Sequence, residues 1–256
     1  MGAWTHPVYE VEVAGQRLDP AVVSFWVQAQ GSAADSGRLV LADPEETLAP
    51  TLARGQKAVI RWGYQDDPAL TTIFEGLVRA VQPDGLQVAL ELIDYQAVLQ
   101  APGRRITRTW EHVAPAELAQ DLIAGTGLSL TAKVPGAQID RFPVHKLTPK
   151  EALQQLCTWL ARETGEDHRF HVRAGVLVLG PPDHGQAPAL ALETGVTLID
   201  RRPGKLGMTL VETMVAPVLH SQVVTVDGAR FFVEEVFHRW SAGGRTLLQV
   251  VPCAAS

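Results

Sequence analysis

The sequence predicts a mainly β fold with a helical insertion, an α+β arrangement in which two β-barrel lobes flank a small helical segment. Three observations carry this. Short period-two runs broken by turn residues fill the first hundred positions. The period changes to helical spacing after about Pro102. It returns to two from Phe170 and stays there almost to the end. The expected divisions are residues 1–105 for the first lobe, 106–166 for the helical insertion, and 167–256 for a hairpin and the second lobe.

In the first block, Tyr9 to Val13 alternates and Ala14-Gly15-Gln16 turns. Val23, Phe25, Val27 and Ala29 fall on one face of the next run. Gly37 opens Arg38 to Asp43, and Pro44 to Leu52 is polar with room for a helical turn or two. Lys57 to Tyr64 reads as a strand, and Gln65 to Ala69, with Pro68, as a turn. Thr72 to Val81 and Leu86 to Ile93 are partners across Pro83-Asp84-Gly85. Gly76 lies inside a strand pattern, where glycine marks a bulge or the close approach of another backbone.

The insertion carries two helices. Pro115 suits a first helical position, and Leu118, Ala119, Leu122 and Ile123 make one stripe ended by Gly125 or Gly127. Thr148, Pro149 and Glu151 spell an N-cap, a first-turn proline and a capping box. Ala152, Leu153, Leu156, Cys157, Leu160 and Ala161 follow at helical spacing before Gly165. Both helices are short and one-sided, so they must pack on something. The segment Pro115 to Ala161 lacks the length for a core of its own and is expected on the outside of a barrel.

In the last block, His171 to Leu179 is a hairpin around Ala174-Gly175, and Pro181 to Pro188 a loop. From Thr197 the clearest strands are Val223 to Val226, Phe231 to Trp240 and Thr246 to Val251, with turns at Asp227-Gly228 and Ser241 to Gly244. The two blocks close alike: Ile73 to Val78 with Leu86 to Ile93, then Phe231 to Val236 with Thr246 to Val251. Chance likeness between two hairpins and descent from one repeated lobe both fit that pattern.

Composition narrows the function. With 46% hydrophobic and 20% charged residues the chain builds an ordinary core. The formal charge of −6 and the absence of a basic stripe in the sequence argue against a nucleic-acid grip built on phosphate neutralisation. Two cysteines, Cys157 in a helical apolar pattern and Cys253 near the end, do not make a disulfide scaffold. No stretch reaches the ~20 apolar residues of a membrane helix, so no membrane anchor is expected. Residues 1–7 lack a basic region followed by an apolar run, so synthesis is expected to begin in the cytoplasm.

Candidate chemistry is sparse. His168 and His171, with Glu163, Glu166 and Asp167 nearby, are residue types that bind metal. They fall at a helix-to-strand junction where positions three apart face opposite ways, so an exposed polar junction is the expected reading. No nucleophile elbow, phosphate loop or zincin motif occurs. The pairs Glu45-Glu46 and Glu234-Glu235 would face opposite sides of a strand, and Glu111 and Asp140 stand apart. No catalytic, cofactor-binding or metal residue is assigned, no cofactor is expected, and the chain is not expected to be an enzyme. Trp62, Trp110 and Trp240 lie in or beside β-patterned runs and are expected in cores.

Several stretches, in order along nearly the whole chain, resemble the phage late-control D and tail baseplate hub family. They are Leu39 to Asp43; Val59 to Tyr64 with its Gly-Tyr, followed by Ile73 to Val78; Trp110 to Gly127; and Phe231 to His238 with Gly244-Arg245-Thr246. The resemblance implies tail-tube-like double barrels and a structural role in the virion tail baseplate, assembled in the host bacterial cytoplasm. It implies a homotrimer acting as a symmetry adaptor between a sixfold tail tube and a threefold central spike. Its partners would be tube protein, spike protein and other baseplate proteins, with DNA passing the lumen without specific binding. The chain is short for the family and shows no repetitive spike segment and no lysozyme-like insert. Two other readings follow from the residues: a tail-associated cell-wall hydrolase, and a monomeric ligand-binding β-module.

Overall fold

The computed structural model describes residues 6–31, 33–65, 69–101, 103–183, 185–194, 196–204, 208–213, 216–241 and 244–253. Residues 1–5, Pro68, Pro102 and the middle of the turn at 242–243, all part of the sequence reading, lie outside them. The fold is mainly β with a helical insertion. In chain order the strands and helices are β1 (Pro7–Val13), β2 (Gln16–Arg17), β3 (Val22–Gln30), β4 (Ser36–Ala42), β5 (Lys57–Tyr64), β6 (Thr71–Asp84) and β7 (Gln87–Asp94). Next come β8 (Ile106–Val113), α1 (Pro115–Ile123), β9 (Ser129–Ala132), β10 (Ile139–Leu147), α2 (Pro149–Thr164), β11 (Arg169–Arg173) and β12 (Val176–Gly180). Last are β13 (Leu190–Leu192), β14 (Leu198–Pro203), β15 (Thr209–Thr213), β16 (Val223–Val226), β17 (Ala229–Trp240) and β18 (Gly244–Pro252).

The chain divides into two units. Residues 1–30, 35–94 and 183–256 form one, and residues 31–34 with 95–182 the other. In the first unit both β-blocks belong to one sheet, with strand order β14-β15-β18-β17-β3-β4-β7-β6-β5-β1-β2 and with β16 and β13 branching from β17. The blocks meet where β3 pairs antiparallel with the second half of β17, from Glu235↔Gln30 to Trp240↔Phe25. Alternation along β3 buries Phe25, Val27 and Ala29 as expected, but Val23 is exposed. A register shift between Val22 and Ser24 takes it off the buried face. Positive φ at Ala14-Gly15 and Asp227-Gly228 gives these two-residue turns the backbone twist that tight hairpins require.

Gly76 is a close-approach glycine. A Cβ there would sit 2.4 Å from the Ile93 carbonyl oxygen and 2.7 Å from Asp94 Cα. In Pro44 to Leu52 the Asp43 carboxylate accepts from the backbone N–H of Leu48 at 2.9 Å and Ala49 at 2.8 Å, holding one short 3₁₀ turn at Ala49–Thr51.

The second unit differs from the sequence reading in its extent and its core. The hairpin β11–β12, read as the start of the second lobe, pairs instead with β9, parallel through β12. β8 and β10 form a further antiparallel pair with Trp110 opposite Phe142. Together these strands bury the apolar stripes of both helices. Leu118, Leu122, Leu153, Leu156, Leu160, Phe142, Leu177 and Leu179 make a core separate from those of the sheet. The segment therefore does have a core, because it recruits strands on both sides of it. Helix α2 begins at the full capping box of Thr148 and Glu151 and ends at Gly165 in the left-handed conformation.

Candidate assembly surface

The junction of the two β-blocks is built from large side chains on one face and polar ones on the other. On the buried face, Trp62, Phe25, Trp240 and Tyr9 pack in sequence. Trp62 and Phe25 centroids are 6.0 Å apart, Phe25 and Trp240 6.4 Å, and Tyr9 and Trp240 4.8 Å. The Trp62 indole N–H reaches into the second block and donates to the Ala216 carbonyl at 3.3 Å. His238 lies edge-on to Trp62 at 4.7 Å, and its Nδ1 is 3.3 Å from Thr246 Oγ1, which accepts from the Ala216 N–H at 3.1 Å. His238 Nε2 has no partner among the described residues. Burial pushes the ring down to about 3, against a weaker pull from the Val218 backbone. The imidazole is therefore neutral across the physiological range.

On the opposite face the Glu235 carboxylate collects three amides from two neighbouring strands. Gln28 and Gln30 on β3 and Gln249 on β18 all donate to it, the latter two at 2.8 Å and 2.5 Å. These bonds tie three strands together and leave the carboxylate without a cation among the described residues. Beside them Trp26 stacks on Phe237, 5.9 Å between centroids and 23° between planes.

The same outer face carries a row that the linear sequence does not show. Direct register partners are Arg245 and Arg239, Arg239 and Trp26, Trp26 and Arg38, and Arg38 and Glu91. Three arginines and a tryptophan thus stand side by side on four neighbouring strands. Glu91 accepts from Gln82 at 3.1 Å, and among the described residues none of the three arginines forms an ion pair. An open cleft of about 310 Å³ adjoins the row, lined by Arg202, Glu212, Phe237, Arg239, Arg245 and Leu247.

The sheet's two ends contrast. At β1 the outer edge is covered by its own chain: the Val11 N–H donates to Asp19 Oδ1 at 2.5 Å and the Leu18 N–H to the Val11 carbonyl at 2.8 Å. At β14, beyond the single bridge Thr194↔Leu198, no further strand pairs among the described residues, and Ile199 there and Val196 just before it are exposed large hydrophobics. Arg201 crosses the Phe231 ring at 5.1 Å and holds this edge strand to the second block's core.

The groups nominated for chemistry are placed as follows. His168 is buried on the side of Phe170 and Val172, its Nδ1 3.0 Å from the Glu166 carbonyl, while His171 alternates to the other face of β11. Burial, helped by Arg173, holds His171 down at about 4. Glu163, Glu166 and Asp167 are exposed, and Asp167 pairs with Arg169 at 2.6 Å. No group of three or more metal-binding side chains occurs among the described residues. Cys157 is a buried thiol pushed up to about 12, chiefly by burial and also by Asp167; Cys253 is a second free cysteine. A register shift between Val233 and Glu235 breaks the simple alternation read for Glu234-Glu235. The exposed Glu45-Glu46 lies in a turn.

No protein-family model matches the sequence, and neither does any curated protein. Solved structures do match in fold. The 43 kDa tail protein of prophage MuSo2 from Shewanella oneidensis aligns over 96% of this chain and 98% of its own, with a TM-score of 0.75 at 11% identity. A tail protein from Neisseria meningitidis aligns over 96% of both chains, with a TM-score of 0.71 at 13% identity. An E. coli component of the type VI secretion system, itself similar in structure to T4 bacteriophage tail proteins, covers 94% of this chain and 76% of its own, with a TM-score of 0.68 at 11% identity. The fold is thus one shared by prophage tail proteins and a secretion-system component.

Proposed function

We propose that the chain is the structural hub of a phage-tail or tail-like baseplate, a homotrimer joining a sixfold tail tube to a threefold central spike. The observation that carries this reading is the arrangement of the two β-blocks. Each is built on a long antiparallel hairpin, β6–β7 in one and β17–β18 in the other, and both lie in one sheet. Three such chains around a threefold axis present six β-blocks, the number a sixfold tube requires. The β14 edge with its exposed Ile199 gives each chain a surface to repeat by rotation, as a closed heterologous ring needs. The fold shared with tail proteins over nearly the full length supports the same reading.

The mechanism is mechanical. The ring matches the tube on one side, holds the spike on the other, contacts other baseplate proteins around it and lets DNA pass without specific binding. Its place is the virion tail baseplate, and it acts without cofactor or turnover. The test is the native mass of the purified chain, alone and with the tube protein from the same particle. Three chains per assembly in the presence of tube support the hub. A stable monomer with tube present, together with saturable binding of a small ligand, assigns the chain to ligand-binding modules instead.

A further inference from the structure

We infer that the outer face carrying Arg38, Trp26, Arg239 and Arg245 docks an acidic amphipathic helix of a protein partner. Like charges directly opposite each other on neighbouring strands destabilise a sheet. Arg239 and Arg245 are such a pair; Glu212 lines the same cleft, but among the described residues neither arginine forms an ion pair. Arg38 stands in the same row opposite Glu91, which keeps its negative charge while accepting from the neutral Gln82 amide but forms no ion pair with Arg38 among the described residues. The chain as a whole carries a formal charge of −6, so three arginines in line, none of them in an ion pair among the described residues, are not a product of a generally basic surface. An external anion removes the cost.

The neighbours of the row indicate what kind of anion. Trp26 and Phe237 are half-buried and stacked, and Leu247 lies opposite Phe237. Arginine and aromatic residues together are the composition of protein interface centres, where lysine is depleted. Nucleic acid is the weaker fit, because the negative charge of the chain repels a long polyanion as a whole.

Geometry narrows the partner further. Strands lie about 4.8 Å apart, so Arg239 and Arg38, separated by β3, are about 10 Å apart with Trp26 between them. Carboxylates seven residues apart on a helix span roughly 10 Å and face the same way. An apolar residue midway between them falls over Trp26. A helix lying across the strands therefore meets both arginines and the aromatic pair at once. This inference does not depend on ring formation, and a monomer would carry the same face.

The test uses the full chain and a fluorescein-labelled stapled helical peptide with glutamates seven residues apart and leucine midway. Controls are the same peptide with the glutamates out of phase and a short DNA duplex. The expected result is saturable binding of the in-phase peptide, weakening as salt rises and at least about tenfold weaker for R239E/R245E. Arg38→Gln, on a different strand and removing a single charge, should weaken binding by a smaller factor with circular dichroism unchanged. Failure of the in-phase peptide to bind the folded chain overturns the inference. So does equal binding of the out-of-phase peptide. Tighter binding of the duplex, lost in the same variants, assigns the face to nucleic acid. A change in the chain's own association state in R239E/R245E assigns it to a second copy.

Discussion

The two β-blocks of the single sheet bury their polar groups in opposite ways. In the first block, Asp43 is buried, and burial alone would raise its carboxyl. The N–H groups of Leu48, Ala49 and Thr47 outweigh that and hold it below the usual carboxylate range. In the second block, His238 is fully buried beside Trp62 and Thr246 with one ring nitrogen unpartnered, and burial wins. A carboxylate with satisfied lone pairs strengthens the fold as long as it is ionised; a buried imidazole is tolerated while neutral and costs stability once the unfolded chain can take up a proton that the folded ring refuses. The first block is therefore sensitive only in the carboxylate range, and the second loses stability at higher pH. His238 lies on the strand that pairs with β3.

The largest expected effect follows from that difference. The folded pKa of His238, about 3, lies below its ordinary value of 6.5, so the unfolded chain takes up the proton first. Stability from the neutral ring is complete above pH 6.5 and is lost as pH falls towards 3. The full loss is about 5 kcal/mol at 1.36 kcal/mol per unit. The Asp43 contribution runs lower in pH: it is present above the unfolded carboxylate value of 3.8 and lost below it. Amide hydrogen exchange at pH 5 should therefore report loosening of β17 and β18 before β6 and β7, and His238→Phe should flatten the urea stability profile between pH 6.5 and 4. A profile unchanged by His238→Phe would remove the contrast between the blocks.

Gly76→Val attacks the first block instead. Its side chain would start well inside van der Waals contact distance of the Ile93 carbonyl oxygen, so the strand pair β6–β7 must shift. The expected cost is about 3 kcal/mol. An unchanged melting temperature would show that the close approach is not rigid. The smallest effect is a control outside both blocks. Thr148→Ala removes the α2 cap and should cost about 1 kcal/mol, with the His238-dependent acid transition left where it was. A shift of that transition would mean that the second unit and the sheet do not respond separately.

Local features were readable from the sequence where a few adjacent residues set the geometry. Thr148, Glu151 and Gly165 bound α2, and Ala174-Gly175 turns a hairpin, because capping and positive φ are decided within one turn of chain. The burial of Trp62 also follows from a local apolar pattern. The pairing of β3 with β17 does not, since alternation shows which face is buried but not which strand lies alongside, and the partners are more than 200 positions apart. For the same reason the sequence shows no basic stripe, yet the fold assembles one from residues 38, 239 and 245. Strands β8 and β10 were missed because most of β8 is exposed and polar and β10 contains Pro143, which its two-stranded position tolerates. Without them the second unit's core could not be anticipated.

The central claim is that three copies close a ring on the tail axis. Cryo-electron microscopy of the assembled particle is the decisive measurement, because it does not depend on how strongly isolated subunits associate. The expected result is density for three copies, six β-blocks around the axis, between the tube and the central spike. Six copies of the chain, or density for it away from the axis, would contradict it.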